Sequence, residues 1–356
     1  MRLWKAGVAL GLTATLALTG CQNESRAHTQ EDYQAAQPFT ASDTPAKHVG
    51  LLSSEDVRFS AERGLMDLSK QYFPPTDVSF RTHTFLNFDE LDATDGSRGL
   101  LGTLRDDNPN GLNPNNNESF DTGNGVVQGG IILVDIYEVD WYRSDTLAGI
   151  SLALVVNDKI TQNGQDHEIG EEQMRNYIEV TSNKLVTYMR ERFNEVSGRI
   201  PILVAAYELD SSDSASNGGY VMEGWFPQGS TGGNFTAVKE TNVTVPSTAF
   251  SEQAPDLASE FNTFKDDVRS VLPDNTYVTG TCRLLNGQPS RLDLTITTHG
   301  KMLSEVVAAA QTVESSFKTF TDSDVEYHVT IINNDTPYAQ GRRLPQSSRL
   351  EMVTAG

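Results

Sequence analysis

The sequence predicts an α+β fold: two tandem repeats of a helix-strand-strand-helix-strand unit, with mixed sheets each covered by helices. Three observations lead there. Long segments at 171–194 and 300–320 carry apolar residues at helical spacing. Each is flanked by short β-branched runs of strand type. The segment YFPPTDVSFRTHTFLN at 72–87 also lies on VLPDNTYVTGTCRLLN at 271–286 at one constant offset of 199, with Pro74 on Pro273, Thr82 on Thr281 and Asn87 on Asn286.

The elements follow in chain order. Residues 61–73 read as a helix with Leu65, Leu68 and Tyr72 on one stripe, stopped by Pro74 and Pro75. Residues 78–86 alternate as a strand, with Val78, Phe80, Thr82 and Thr84 on one face. Residues 87–130 read as a loop-like insertion, because Asn, Gly and Pro favour turns and six of the ten residues at 108–117 are Asn. Strands follow at 131–142 and at 147–156, the latter (LAGISLALVV) apolar enough to be buried on both faces. In the helix at 171–194, Met174, Ile178, Thr181, Leu185, Tyr188 and Phe193 trace the buried stripe. A strand at 200–207 closes the first unit, 51–210. A polar connection spans 211–256. The second unit, 257–335, repeats the order: a helix at 257–271, strands at 277–285 and 292–298, a helix at 300–320 with Met302, Val306, Ala310, Val313 and Phe317 in register, and a strand at 325–332. The polar tail, 336–356, is expected to fray.

Composition narrows the function. The 356 residues hold 27 Lys plus Arg against 48 Asp plus Glu, a formal charge of −21. Mean hydropathy is −0.39, which excludes a polytopic membrane protein. No basic face is available for phosphate contact, so nucleic acid is not an expected partner. Two cysteines exclude a disulfide-stapled scaffold.

The start of the chain reads as an address. Arg2 and Lys5 precede a thirteen-residue apolar run at 6–18, too short to span a bilayer and suited to the core of a secretory signal at 1–20. Leu18, Thr19 and Gly20 then lead into Cys21, the lipobox pattern of bacterial lipoproteins. Diacylglycerol alkylates such a thiol, and type II signal peptidase cuts before it. The expected partners are therefore that peptidase and the membrane. Acyl chains anchor the product, each buried methylene contributing about 0.8 kcal/mol. Loss of Arg2 and Lys5 with the leader takes the formal charge to −23. Residues 21–50, polar and without apolar period, read as a flexible tether. The expected location is the extracellular face of the cell membrane.

Few constellations carry chemistry. Cys282 lies in an alternating apolar run and reads as a buried thiol. His167, Glu168, Glu171 and Glu172 lack the second histidine of a zincin, and read as a solvated helix start with acids at its positive end. Asp210 and Asp213 lack the EF-hand pattern. His83, His299 and His328 read as structural. No metal or cofactor is expected. The best ligand surface in the sequence is the aromatic group Tyr220, Trp225 and Phe226, whose ring faces suit a carbohydrate or a peptide.

Several blocks carry a family resemblance. GLMDLSKQYFPP at 64–75, LAGISLALVVND at 147–158, IPILVAAYELDSSDS at 200–214, FKDDVRSVLP at 264–273 and LTITTHGKMLSEVVAAAQTV at 294–313 resemble the CamS family. The resemblance runs over 50–335, outside the Asn-rich insertion and the 215–250 region. It implies a two-repeat lipoprotein of Gram-positive bacteria, described as a sex-pheromone precursor. The named activity then belongs to the leader, which an intramembrane protease trims to a small apolar peptide that induces plasmid transfer. Here that peptide would be ATLALTG, running from Ala14 to Gly20, its end fixed by the cut before Cys21. The folded body is expected to be a non-enzymatic binding or scaffold module. The alternative is a cell-envelope hydrolase, which requires carboxylates or a metal converging in a pocket.

Overall fold

Hydrophobic alternation along the strands builds two large sheets, the first with a core on each face and the second with a core on one. The computed structural model describes residues 32–44, 55–92, 99–209 and 218–354. The first half holds β1 (Gln34–Ala35), α1 (Glu55–Ser69), β2 (Ser79–Thr82), α2 (Phe88–Leu91), β3 (Ser119–Asp121), β4 (Val126–Gln128), β5 (Leu133–Arg143), β6 (Thr146–Asn157), β7 (Lys159–Gln162), β8 (Gln165–Glu168), α3 (Glu171–Arg192), β9 (Ile202–Leu209), β10 (Gly219–Phe226) and β11 (Asn234–Ala237). The second holds β12 (Glu240–Val245), α4 (Thr248–Gln253), α5 (Pro255–Val271), β13 (Thr276–Leu285), β14 (Gln288–Thr298), α6 (Leu303–Ser316), β15 (Glu326–Asn333), β16 (Thr336–Arg343) and β17 (Glu351–Thr354).

The first sheet has the order β1-β2-β5-β6-β9-β10-β11 and the second β12-β13-β14-β15-β16-β17. From β2 to β11, neighbouring strands pair antiparallel, antiparallel, parallel, antiparallel, antiparallel. The second sheet repeats that series strand for strand. In both, the parallel pair is joined through the long helix, α3 or α6. The fold is therefore α+β with two mixed sheets in tandem-like halves.

The equivalence differs from the one the 199-residue offset implies. That offset lays β2 on β13. In the sheets, β13 holds the place of β5, the strand before the crossover pair, and β2 holds the place of β12. The leading helices also differ. Helix α5 shares one core with α6, whereas α1 packs on the face of the first sheet opposite α3. Beside α3, the place of α5 is taken by the Asn-rich insertion, whose Leu91, Leu100, Leu101, Leu112 and Val127 complete the core.

Strand alternation sets this up. In β6, Ile150, Leu152, Leu154 and Val156 face α3, while Ala153 and Val155 face α1. In the second sheet, Leu292, Leu294 and Ile296 face α5 and α6. Their neighbours Arg291, Asp293 and Thr295 face the other way, toward α1. One face of the second sheet is thus polar and is roofed by the helix of the first half.

Four expectations are corrected. Residues 32–44 do not belong to a free tether: Gln34–Ala35 pairs in parallel with β2, Tyr33 lies 4.2 Å from the Trp141 ring and Asp32 pairs with Arg342 at 2.5 Å. The 211–256 connection supplies β10, β11 and β12, and the tail supplies β16 and β17, because each presents apolar residues to a core at strand period (Tyr220, Val243, Val245, Ala339). Met302 is exposed at the start of α6 rather than in its buried stripe.

Candidate functional site

The open face of the second sheet meets α1 across a polar cleft of about 500 Å³. Helical spacing brings Phe59, Ser60, Arg63, Gly64 and Asp67 to one side of α1, facing the sheet. Gly64 lets the helix approach: a Cβ there would stand 2.5 Å from the Tyr220 ring, whose hydroxyl donates to Ala61 O at 2.5 Å. Strand period brings Glu240, Asn242 and Thr244 of β12, Thr279, Thr281 and Arg283 of β13, and Arg291, Asp293 and Thr295 of β14 to the floor.

Three guanidiniums and three carboxylates line the cleft, and all are paired. Arg283 donates to Glu240 at 2.7 Å and to Asp67 at 3.0 Å. Arg291 holds Asp293 at 2.8 Å, and Arg63 reaches Asp293 from α1 at 3.2 Å. The network continues to Glu326, which takes His328 at 2.7 Å and Arg342 at 2.7 Å. Burial alone would lower Arg283, but Glu240 and Asp67 outweigh it and raise it. Burial alone would raise Glu326; His328, Arg291 and Arg342 outweigh it and hold its carboxyl well below the usual range. Arg63 is lowered by burial and by the neighbouring Arg291. Asp67–Arg283, Arg63–Asp293 and Asp32–Arg342 each join the two halves.

The carboxyls that burial raises lie elsewhere. Glu138 and Asp140 of β5 are enclosed in the first core. His83, with φ of +48°, opens a turn whose next three amides point at this pair. Thr84 N–H donates to Asp140 at 3.1 Å, and Phe85 and Leu86 N–H donate to Glu138 at 2.8 and 2.6 Å. Desolvation raises both groups, Asp140 to about 6. An acid suited to proton donation is therefore present, but in a closed core. In the cleft, every carboxylate is held by arginine.

The site residues read from the sequence fall as follows. Tyr220 and Phe226 are fully buried and point into different cores, since they lie on opposite faces of β10. Trp225 is half-buried and stacks on Tyr72 at 4.4 Å. The aromatic group is thus core packing and not a ligand surface. His167 and Glu168 lie on the β7–β8 hairpin, with Glu171 and Glu172 in the first turn of α3. Cys282 is buried in the second core, where burial pushes its thiol up to about 12. His83 is buried with Nδ1 2.9 Å from Leu86 O, and His299 lies edge-on to Tyr277. Leu18, Thr19, Gly20, Cys21, Asp210 and Asp213 lie outside the described residues.

Sequence reading missed the cleft residues. Their signal was present in Thr279-x-Thr281-x-Arg283 and Arg291-x-Asp293-x-Thr295, where one strand face alternates charge and hydroxyl opposite a wholly apolar face. Such a face reads as solvated until the helix above it is placed.

An α+β body of two mixed sheets, of seven and six strands, in tandem-like halves with a polar cleft between them is what the geometry defines. The family model described as CamS sex pheromone cAM373 precursor matches residues 40–348, so the chain belongs to the CamS family. Among solved structures it is similar to a sex pheromone precursor from Lactobacillus salivarius subsp. salivarius UCC118, with a TM-score of 0.77 at 20% identity over 92% of this chain and 97% of that one. It is also similar to the C-terminal domain of the sex pheromone staph-cAM373 precursor of Staphylococcus aureus, with a TM-score of 0.73 at 17% identity over 86% of this chain and 98% of that one. At these identities the likeness is one of fold. No curated protein matches the chain.

Proposed function

We propose that this chain is a lipoprotein precursor with two products. The leader is cut before Cys21 by type II signal peptidase and trimmed by an intramembrane protease to the apolar peptide ATLALTG, residues 14–20, which signals for conjugative plasmid transfer. The body, from Cys21 onward, is held at the outer face of the cell membrane by diacylglycerol on that thiol and acts as a non-enzymatic binding module. The observation that carries this reading is the run Leu18-Thr19-Gly20-Cys21 behind a basic start and a thirteen-residue apolar core, in a member of a pheromone-precursor family.

Two facts support it. Among the described residues no helix is long and apolar enough to cross a membrane. Residues 32–44 are packed on the first sheet, so only the segment from Cys21 to Asp32 separates anchor from body. Fully extended, that segment spans at most about 40 Å, which holds the body nearer the membrane than a tether reaching residue 50.

Growth with labelled palmitate tests the anchor. The wild-type chain is expected to take up label and Cys21→Ser to lose it, leaving uncut precursor; label retained by Cys21→Ser refutes the site. Mass spectrometry of the culture supernatant tests the signal, with ATLALTG expected in wild type and missing from the variant.

A further inference from the structure

We propose that the cleft between α1 and the open face of the second sheet binds a neutral oligosaccharide. This rests on the reading of the body as a binding module and gives that module a ligand class.

The cleft volume of about 500 Å³ falls within the range of small-ligand sites. Its charges are already spent on one another: Arg283 on Glu240 and Asp67, Arg291 and Arg63 on Asp293. An anionic ligand would have to break one of these pairs, and it would approach a chain of formal charge −21. A cation would meet the same guanidiniums. A neutral ligand disturbs none of them.

What the cleft leaves available is hydroxyl. Thr244, Thr279, Thr281 and Thr295 line the floor, and beyond the backbone pairing of their strands their side-chain hydroxyls have no hydrogen-bond partner among the described residues. They form a small lattice: Thr244 is the cross-strand partner of Thr281, and Thr279 of Thr295. Neighbouring strands set these hydroxyls about 4.8 Å apart and alternate residues about 7 Å apart. Each hydroxyl donates and accepts, as sugar hydroxyls do.

Two rings flank that floor. Phe59 on α1 is 48% exposed, and Tyr277, two residues before Thr279 on the same strand face, is 58% exposed. Exposed ring faces suit the C–H faces of a pyranose. A peptide fits less well. Strand addition uses a sheet edge, and here a sheet face is presented; side-chain recognition needs apolar pockets, and among the described residues Phe59 is the one large apolar side chain lining the cleft.

The test is saturation-transfer NMR on the full chain in a detergent without a sugar headgroup. The probes are chitohexaose and maltohexaose as neutral glycans, a hyaluronan hexasaccharide as an anionic one, and pentaglycine as a peptide. Saturable binding of at least one neutral glycan is expected, with hyaluronan bound more weakly. Phe59→Ala and Thr281→Val should each weaken it about tenfold, corresponding to about 1.4 kcal/mol; both side chains lie outside the cores, so two independent variants report on the site. Failure of both neutral glycans to bind, stronger binding of hyaluronan, or binding indifferent to both variants overturns the proposal. Saturable binding of pentaglycine alone overturns the glycan and leaves the binding-module reading standing. Palmitate labelling of the same preparation reports the anchor separately.

Discussion

Asp140 and Glu138 meet in a core where two negative charges cannot be held together. Asp140 Oδ1 is buried without a hydrogen-bond partner, and burial beside Glu138 favours a proton on Asp140. The unfolded chain would release that proton near the ordinary Asp value of about 4. The folded state keeps it until about pH 6. The stabilisation is therefore complete below about pH 4 and is lost as pH rises through about 6, at up to about 1.4 kcal/mol per pH unit for each proton. Glu326, shifted the opposite way, gives a stabilisation that is fully present above its ordinary range and is lost only as pH falls below it, so it adds no slope at neutral pH. Denaturant midpoints measured from pH 4.5 to 7.5 should fall in wild type and stay flatter in Asp140→Asn, whose amide donates to Glu138 at every pH. An unchanged slope would remove the buried Asp140 proton from the account. None of this was legible in the sequence: residues 131–142 read as a strand with neither carboxyl singled out, and the turn at 83–86 that bonds them read as the end of a strand.

At the scale of elements, most helices and strands could be read because their period survives in the residues. Helix α3 is bounded by Glu171 and Glu172 in its first turn and by Arg190 and Arg192 in its last, matching the helix dipole. Helix α5 opens on Pro255, suited to a first helical turn. What escaped was local order supplied by side chains. In the Asn-rich insertion, Asn113 is 1% exposed and does the work of a strand: its Nδ2 donates to Leu101 O and Leu133 O, and its Oδ1 accepts from Ile132 and Leu133 N–H, with all four distances at 2.8–2.9 Å. Composition assigns Asn to turns and cannot show that one of them is a core bracket. The position of α1 likewise depends on one small residue. Gly64→Val would drive a branched side chain into the Tyr220 ring, at a cost of about 2 kcal/mol, read as a lower denaturation midpoint. A midpoint unchanged from wild type would mean that α1 does not lie against β10 as described.

At the scale of the molecule, the two halves share a sheet plan and are joined by ion pairs. The duplication was visible in the sequence, but the local match at offset 199 selected the wrong strand as partner, because strands of one sheet share composition and the insertion interrupts the first copy. Arg283 is central to the joint, with its Glu240 partner 1% exposed in the side chain. Arg283→Met leaves that carboxylate buried without its partner and should cost about 3 kcal/mol. Adding Glu240→Gln should restore much of the loss; equal destabilisation in single and double variants would argue against the pair. On the proposed reading the two-sheet body is one of two products, and its place in the cell depends on the other end of the chain. The most direct measurement is the intact mass of the membrane-extracted protein. The account predicts a chain beginning at Cys21 and carrying a diacylglyceryl group; a chain that retains the leader, or one that starts elsewhere with an unmodified thiol, would contradict it.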